Sequence, residues 1–312
     1  MTAAFLYNRF MQKVLVIAGP TAIGKTSFGI QCAELFNGEI ISGDSVQVYR
    51  GLDIGSAKAT PEERARVPHH LIDIREPNEP YSVRDFQEEA RKCIEEIGER
   101  GGLPVIVGGT GLYIKACLFD YVFPDEDSED DPFDELTNEE LYAILSEEDP
   151  CSAQKIHPNN RKRLVRAVNV LLKHNTSLTD IRSAQEHKCL YDALIIGLTG
   201  DRKELYKRIE ERVDAMLEEG LLEEIDSLLK KGVSFNDRSM SGIGYKEFRG
   251  YFEGTGTLAE CREEVLRNTR HFVKRQYTWF LHQLDVKWFT DRKEALEAVK
   301  AWAYDCPDVK GV

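Results

Sequence analysis

Gly19-Pro20-Thr21-Ala22-Ile23-Gly24-Lys25-Thr26 follows an apolar run, residues 14–18, and precedes a helix-compatible segment, residues 27–36. A strand, a glycine-bounded loop and a helix in this order are the context of a phosphate-binding P-loop. The glycines let the backbone turn so that successive N–H groups converge, and the helix adds the positive end of its dipole. Lys25 supplies a charge for a phosphate, and the Thr26 hydroxyl can hold Mg²⁺. We therefore predict that this stretch binds a di- or triphosphate and is not a chance glycine-rich turn.

The composition is that of a folded protein with one domain and an insertion, or with two domains. The chain has 312 residues, of which 42% are hydrophobic and 30% are charged. No apolar run reaches membrane-spanning length, and the first residues lack the features of a signal peptide. Met11 directly precedes the first predicted strand, so translation could begin at Met1 or at Met11. Seven cysteines without a CxxC pair favour reduced thiols and no zinc site. We expect a cytoplasmic protein with no membrane partner.

The distribution of charge matters more than its sum. The net charge of −13 taken alone argues against a nucleic-acid partner. Much of the acid lies in one run, residues 125–140, whereas bases cluster at residues 161–166 and again between residues 262 and 275. A nucleic acid could therefore bind the basic clusters despite the negative total.

A second polar stretch, Ser42-Gly43-Asp44-Ser45-Val46-Gln47, follows the short apolar strand Ile40-Ile41. In an open α/β sheet, ligands bind at the carboxyl ends of the strands, so Asp44 is expected near the P-loop. A lone aspartate after a strand more often fixes a turn or caps a helix. From the residues alone, the catalytic and the structural interpretations of Asp44 both stay open.

The next elements extend the α/β pattern. Residues 69–74 are predicted to form a strand, in which His69 and His70 point to opposite faces and so do not share a metal ion; we expect structural or substrate-positioning roles for them. A helix is predicted at residues 84–100 and a buried strand at residues 103–107. That strand runs into Gly108-Gly109-Thr110, where a P-loop ATPase usually carries an acid. The glycines either let a substrate approach the backbone or form a simple tight turn.

Residues 120–188 change in character and are predicted to form a small, mainly helical inserted domain. Helices are expected at residues 136–145 and 161–172, and Arg163 and Arg166 can share a face of the second helix. An ordinary charged helix face would look the same. The fold class we predict is α/β, a P-loop NTPase-like core with a parallel sheet flanked by helices, formed by residues 11–119 and 189–312, plus this insertion.

The last third of the chain returns to the α/β pattern. A strand is predicted at residues 193–198 and a helix at residues 202–219, on which Arg208 and Arg212 point the same way. Arginine suits bidentate contacts to phosphate. The spacing alone, however, slightly favours salt-bridged surface residues over phosphate ligands for this pair. Helices are then predicted up to the end of the chain. One of them, residues 268–280, interleaves bases with aromatic residues, a combination that binds nucleic acid.

Taken together, these motifs are similar to those of one family, the bacterial tRNA dimethylallyltransferases, also called tRNA isopentenyltransferases. The resemblance extends from Lys13 to about Phe289. The segments that carry it, in chain order, are residues 19–26, 42–55, 69–73, 81–86, 108–113, 157–163, 242–247 and 274–280.

The resemblance implies a reaction. The family transfers a dimethylallyl group from dimethylallyl pyrophosphate to the exocyclic N6 of the adenine on the 3′ side of the anticodon, in tRNAs that read codons beginning with U. Asp44 corresponds to the general base and Thr21 to the residue near the departing oxygen. Residues 19–26 and Arg212 correspond to the pyrophosphate site, with Mg²⁺ at Thr26.

The resemblance also implies contacts to the anticodon loop of tRNA by a protein that we expect to be a monomer. The target nucleotide would be contacted by Asp44, Ser45, Val46, Gln47 and Thr110. The remaining tRNA contacts would come from Arg161, Arg163, Arg166, Lys274 and Arg275.

Three other functions compete with this interpretation. An adenylate isopentenyltransferase would do the same chemistry on free AMP, ADP or ATP, but the long C-terminal region with Lys274 and Arg275 favours tRNA. A P-loop kinase or ATPase is disfavoured by the missing acid after residue 107 and by the Asp44 motif. A non-catalytic RNA-binding protein would not need a phosphate loop beside a carboxylate.

Overall fold

A parallel β-sheet organises the fold. The computed structural model describes residues 11–123, 132–174, 176–177, 180 and 188–304. The strands within these residues are β1 Lys13–Ala18, β2 Gly38–Ser42, β3 His69–His70, β4 Leu103–Val107, β5 Asp192–Leu198 and β6 Lys287–Phe289. They pair in the order β3-β2-β4-β1-β5-β6, and every pair is parallel. The predicted α/β fold with a parallel sheet is confirmed.

Strand β1 lies in the interior of the sheet. It pairs with β4 on one side and β5 on the other, so that Leu15 lies opposite Val105 and Leu194. Residues 14–18 have no exposed surface. A parallel strand that is covered on both faces must be apolar on both faces, which explains the continuous apolar run in the sequence. This strand delivers the loop of residues 19–24 to the carboxyl edge of the sheet.

The helices cover the sheet and form the insertion. Their bounds are α1 Lys25–Leu35, α2 Pro61–Arg66, α3 Val83–Glu99, α4 Gly111–Leu118, α5 Asn138–Glu148, α6 Pro150–Ala153, α7 Arg161–His174, α8 Arg202–Glu218, α9 Leu221–Lys230, α10 Arg249–Phe252, α11 Leu258–Gln283 and α12 Arg292–Ala303. Helix α3 shows why they form: Ser82 and Asp85 make a reciprocal capping box, and Phe86, Ala90 and Ile94 are buried at helical spacing. No helix in the described part of the chain is both long and apolar enough to cross a bilayer.

The chain divides into two compact units. The larger unit comprises the chain up to Phe119 and from Cys189 onward, and the smaller unit is Asp120–Lys188. Within the smaller unit, Leu141 of α5 belongs to a buried apolar cluster with Leu164 and Val168 of α7. This unit therefore has a hydrophobic core of its own. Residues 125–131 of the acidic run noted in the sequence lie outside the described residues, as do residues 1–10.

Three predicted elements differ from the structure. The strand predicted at residues 69–74 ends at His70, because Leu71 (φ 60°) and Asp73 (φ 56°) adopt left-handed backbone values that an extended strand excludes. The prediction of helices up to the end of the chain was wrong, since β6 extends the sheet beside β5. Helix α1 begins at Lys25, two residues before the predicted start.

The glycines after β4 pack tightly against other parts of the protein. A Cβ atom on Gly108 would lie 2.2 Å from the carbonyl oxygen of Gly43, and one on Gly111 would lie 2.1 Å from the Trp279 ring. The Gly43 N–H also donates to the Val107 carbonyl at 2.9 Å. The loops that follow β2 and β4 therefore touch backbone to backbone. The structure thus gives these glycines a packing role as well as a place at the sheet edge.

We predict that Gly108→Ala destabilises the protein by roughly 1–3 kcal/mol, because the added methyl group overpacks a backbone contact. Gly256→Ala is the matched control, since the nearest atom to its Cβ would lie at 3.6 Å, an ordinary contact. Urea unfolding of the two variants and the wild type measures the difference. Equal unfolding midpoints for Gly108→Ala and the wild type would contradict the packing role.

Candidate active site

The loop of residues 19–24 has the conformation that phosphate binding requires. Gly19 (φ 139°) and Gly24 (φ 90°) lie in the left-handed region that favours glycine. A Cβ atom on Gly19 would also lie 2.6 Å from the Leu198 carbonyl oxygen. Gly24 caps the N-terminus of α1, where the N–H groups of the first turn have no partner within the helix. A glycine loop followed by a helix N-terminus is an arrangement that can bind an anion.

Lys25 lies in a field of other charges. Its Nζ donates to the Pro20 carbonyl at 2.8 Å and so spans its own loop. Desolvation and the nearby Arg212 guanidinium lower the pKa of Lys25 to about 8, while the Asp44 carboxylate opposes that shift. Burial likewise lowers the pKa of Arg212. Two cations that share a poorly solvated space are stabilised by a bound anion.

These groups line one cavity of about 400 Å³ at the carboxyl edge of the sheet. It brings together most of the predicted ligands: Thr21, Ala22, Gly24, Lys25, Thr26, Asp44, Gln47 and Arg212. Three other predicted pyrophosphate ligands, Gly19, Pro20 and Ile23, are buried residues of the loop that do not line the cavity.

Asp44 combines the two roles that the sequence left open. Its Oδ1 accepts hydrogen bonds from the backbone N–H groups of Val46 at 2.8 Å and Gln47 at 3.4 Å, which fixes a turn. Its Oδ2 has no hydrogen-bond partner among the described residues. One oxygen of the carboxylate therefore holds the loop, and the other is available to a ligand in the cavity.

Gln47 has its side-chain amide held by the protein. Its Oε1 accepts from the Ser42 hydroxyl at 2.8 Å, and its Nε2 donates to the carbonyls of Ser56 at 3.3 Å and Ala57 at 3.2 Å. This side chain shapes the cavity wall. Its predicted contact with the target nucleotide stays a prediction.

The other predicted tRNA contacts lie outside the cavity. Ser45, Val46 and Thr110 do not line it, and the Thr110 N–H donates to the Gly43 carbonyl at 3.3 Å. In the smaller unit, the Arg161 guanidinium donates to the carbonyls of Phe133 and Leu136 at 2.6 and 2.7 Å, Arg163 is exposed and Arg166 is partly buried. The roles of all six in tRNA binding stay predictions.

Helix α11 separates its bases into two groups. Three of them form ion pairs: Arg262 with Asp214, Arg267 with Glu264, and Arg270 with Glu210. Lys274 and Arg275 are exposed and form no ion pair within the described part of the chain. These two cations are therefore the ones on α11 that are available to phosphates.

Comparison with known proteins identifies the family. A family model described as IPP transferase matches residues 47–283, and one described as isopentenyl transferase matches residues 12–77. The chain belongs to the IPP transferase family. It is 47% identical over 281 residues to the tRNA dimethylallyltransferase of Anoxybacillus flavithermus, covering 89% of this chain and 90% of that one. The family expected from the sequence motifs is confirmed.

Solved structures of the family share the fold. The tRNA isopentenylpyrophosphate transferase from Bacillus halodurans superposes with a TM-score of 0.72 at 40% identity, covering 94% of this chain and 97% of that one. A eukaryotic dimethylallyltransferase described as acting on tRNA superposes with a TM-score of 0.84 at 29% identity, covering 95% and 80%. The core of this IPP transferase is accordingly a P-loop NTPase-like α/β fold.

The structure adds cavity residues that sequence reasoning did not assign. Arg208 and Glu211 line the cavity together with Arg212. The spacing alone slightly favoured a salt-bridged surface position for Arg208. His69 lines it too; its Nδ1 lies 2.8 Å from the Val67 carbonyl, whereas His70 Nε2 bonds Glu39 at 2.6 Å. The separate partners agree with the prediction that the histidines point apart.

The motif at residues 242–247 has a supporting role that its sequence did not reveal. The Tyr245 hydroxyl donates to Glu224 at 2.7 Å and accepts from the Ser56 N–H at 3.2 Å. Glu224 in turn accepts from the N–H groups of Asp53 and Ile54 at 2.9 and 2.8 Å. These bonds hold the loop whose carbonyls fix Gln47. The glycines of this motif indicate that another part of the backbone packs closely against it. The sequence could not show which part, because the segment around Gly55 lies far away along the chain.

We predict that the affinity for pyrophosphate falls as the pH rises above about 8. Below that pH, Lys25 is charged in the free protein, so its ionisation adds no pH dependence to binding. Above it, a bound anion raises the pKa of Lys25 and binding must take up a proton, which costs up to about tenfold in affinity per pH unit. Calorimetric titration with inorganic pyrophosphate and Mg²⁺ measures the curve. Lys25→Met should bind weakly and lose this dependence; the same fall in that variant would assign the titration to another group.

Proposed function

We propose that this protein transfers a dimethylallyl group from dimethylallyl pyrophosphate to N6 of the adenine on the 3′ side of the anticodon, in tRNAs that read codons beginning with U. The observation that carries the proposal is the free Oδ2 of Asp44 in the same cavity as the phosphate loop. Membership in the IPP transferase family supports the transferred group, and relatives named tRNA dimethylallyltransferases support the acceptor.

The donor side of the cavity matches a pyrophosphate leaving group. The allylic C–O bond breaks as negative charge develops on the departing oxygens. The start of α1, Lys25 and Arg212 line the cavity in which we propose that this charge develops. Fixed dipoles and cations in a poorly solvated site are the strongest form of transition-state stabilisation. Thr21 lines the same cavity, and its hydroxyl is proposed to donate to the oxygen that leaves.

Oxygen ligands in the cavity fit Mg²⁺. The hydroxyl of Thr26 lies in the first turn of α1, and the Asp44 carboxylate lines the same cavity. Mg²⁺ prefers oxygen ligands, usually one or two protein groups with phosphate oxygens and water. We propose that Thr26 holds the ion against the pyrophosphate. When bound, it would supply further charge neutralisation to the leaving group.

The acceptor side needs a base. The exocyclic amine of adenine is a weak nucleophile, and it loses a proton as the new C–N bond forms. Asp44 Oδ2 is proposed to take that proton, since general-base help of this kind is worth about 10²–10⁴ in rate. The adenine must leave its stack to reach the cavity, which costs a few kcal/mol and least in a single-stranded loop. An anticodon loop is therefore a suitable acceptor.

A monomer stays our expectation for the working form. The cysteines in the described part of the chain are all free, which supports a reducing compartment such as the cytosol. At the end of β4, Gly108 and Gly109 stand where a P-loop ATPase usually carries an acid, which speaks against a kinase or ATPase.

The test is nucleoside mass spectrometry after incubation with Mg²⁺, dimethylallyl pyrophosphate and an unmodified tRNA that reads a codon beginning with U, with AMP in a parallel tube. Prenylated adenosine in the tRNA alone is the expected result. Prenylated AMP alone would make the protein an adenylate isopentenyltransferase, and product in neither tube would overturn the proposal.

We predict that Asp44→Asn lowers kcat by about 10²–10⁴ while the Kd for tRNA changes by less than about threefold. The asparagine keeps an oxygen that can accept from the Val46 N–H, so the turn survives and only the base is lost. Single-turnover kinetics and a filter-binding assay give the two quantities. Equal losses in rate and in affinity would assign Asp44 to binding.

We predict that tRNA binding weakens steeply with salt and that Lys274→Ala combined with Arg275→Ala reduces the slope of log K against log salt by about one to two. Arg267→Ala on the same helix is the control, because its guanidinium is paired with Glu264. Binding assays at several salt concentrations measure the slopes. Equal slopes for the double variant and the control would place the tRNA backbone elsewhere.

A further inference from the structure

Three consecutive residues of helix α11 include two that face solvent and one that is buried. Lys274 and Arg275 are exposed, whereas Gln276 is only 5% exposed and points into the sheet edge. There, Gln276 Oε1 accepts from the backbone N–H of Thr21 at 3.1 Å, and Gln276 Nε2 donates to the Gly109 carbonyl at 3.1 Å. One side-chain amide thus joins the loop after β1 to the loop after β4.

The fit around this amide is tight. A Cβ atom on Gly109 would lie 2.2 Å from Gln276 Nε2, so only glycine leaves room for the bond. Neighbouring side chains of α11 reinforce the contact. The Tyr277 hydroxyl lies 2.9 Å from the Thr199 hydroxyl in the segment after β5, and Trp279 packs on Gly111 at the start of α4. Helix α11 is therefore fixed to the loops after three adjacent strands.

The bond to Thr21 has a chemical consequence. The hydroxyl of Thr21 is useful only if it is aimed at the leaving oxygen, and the loop that carries it includes a strained residue, Ala22 (φ 62°). A hydrogen bond to the Thr21 N–H fixes the backbone from which the hydroxyl projects. Because a misplacement of about 1 Å can cost about 10²-fold in rate, this backbone bond acts on the reaction.

We propose that Gln276 is a positioning residue for prenyl transfer. It holds Thr21 at the leaving group and Gly109 beside it, and it ties both to the helix whose exposed cations meet the tRNA. The inference rests on the proposed function of the cavity. It goes further by naming a residue that touches neither substrate and yet sets the rate of the chemical step.

Gln276→Leu removes both hydrogen bonds at similar volume. The expected result is a loss in kcat of about 10- to 100-fold, with KM for the prenyl donor and for tRNA within about threefold of wild type. Gln283→Leu is the matched control on the same helix. Gln283 is exposed, and among the described residues its side chain accepts from Lys115 alone, at 2.9 Å, so the control should keep wild-type kinetics.

Gln276→Glu separates positioning from a purely structural role and serves if the leucine variant does not fold. An ionised glutamate still accepts from the Thr21 N–H but repels the Gly109 carbonyl, whereas a protonated one can accept and donate as glutamine does. The rate of this variant, divided by the wild-type rate at the same pH, should therefore rise as the pH falls. Thermal unfolding recorded over the same pH range shows whether the change in rate merely follows stability.

The outcomes are distinct. A wild type that binds inorganic pyrophosphate but prenylates no tRNA overturns the proposed function. A wild type that prenylates tRNA while both Gln276 variants stay within about twofold of its kcat overturns the positioning role. A rate ratio for Gln276→Glu that is flat with pH, or that only tracks unfolding, overturns it as well.

Discussion

The parallel pairing of β1 and β2 on the two sides of β4 determines where every reacting group lies. Parallel strands end at the same edge, so the loops after these three strands lie side by side. The first supplies the phosphate loop, the second Asp44, and the third the glycines that let the loops touch. The contact between Gly43 and Gly108 leaves no space for a side chain between the loops. The order of the strands in the sheet therefore places the phosphate loop and the carboxylate in one cavity.

Positive charge is concentrated at the cavity although the protein as a whole is negatively charged. The chain carries a net charge of −13, yet the cavity collects Lys25, Arg208 and Arg212 around a poorly solvated space. Burying Lys25 there, beside the Arg212 guanidinium, costs free energy, as the lowered pKa of Lys25 shows. In the proposed reaction, a bound pyrophosphate would offset that cost, which would couple donor binding to the organisation of the loop. On α11, most bases are neutralised by acids, and the exposed cations that remain give the outer surface a defined place for a polyanion.

The sequence predicted those parts whose causes are local. The phosphate loop and the strand before Asp44 are contiguous patterns, so both were located correctly, and the length of α3 follows from its caps and its apolar spacing. The prediction that Arg212 belongs to the pyrophosphate site came from the family resemblance, because the spacing of the arginines did not distinguish a ligand from a surface residue. Gln276 lies in the motif of residues 274–280, but nothing in the sequence indicated its contact with Thr21. The two residues are 255 positions apart, and only the tertiary fold brings them together. The prediction that the strand continues beyond His70 was wrong because residues with left-handed backbone values end it. Strand β6 was missed because three residues are too few to show an alternating or apolar pattern.

The most direct test is a crystal structure of the protein with inorganic pyrophosphate, Mg²⁺ and an anticodon stem-loop. The account predicts pyrophosphate on the backbone of residues 19–26, with Lys25 and Arg212 as ligands. It also predicts the flipped adenine with its amine nitrogen about 3 Å from Asp44 Oδ2. Pyrophosphate bound away from this loop, or an adenine that stays stacked in the anticodon loop beyond reach of Asp44, would contradict the claim that one cavity serves both substrates.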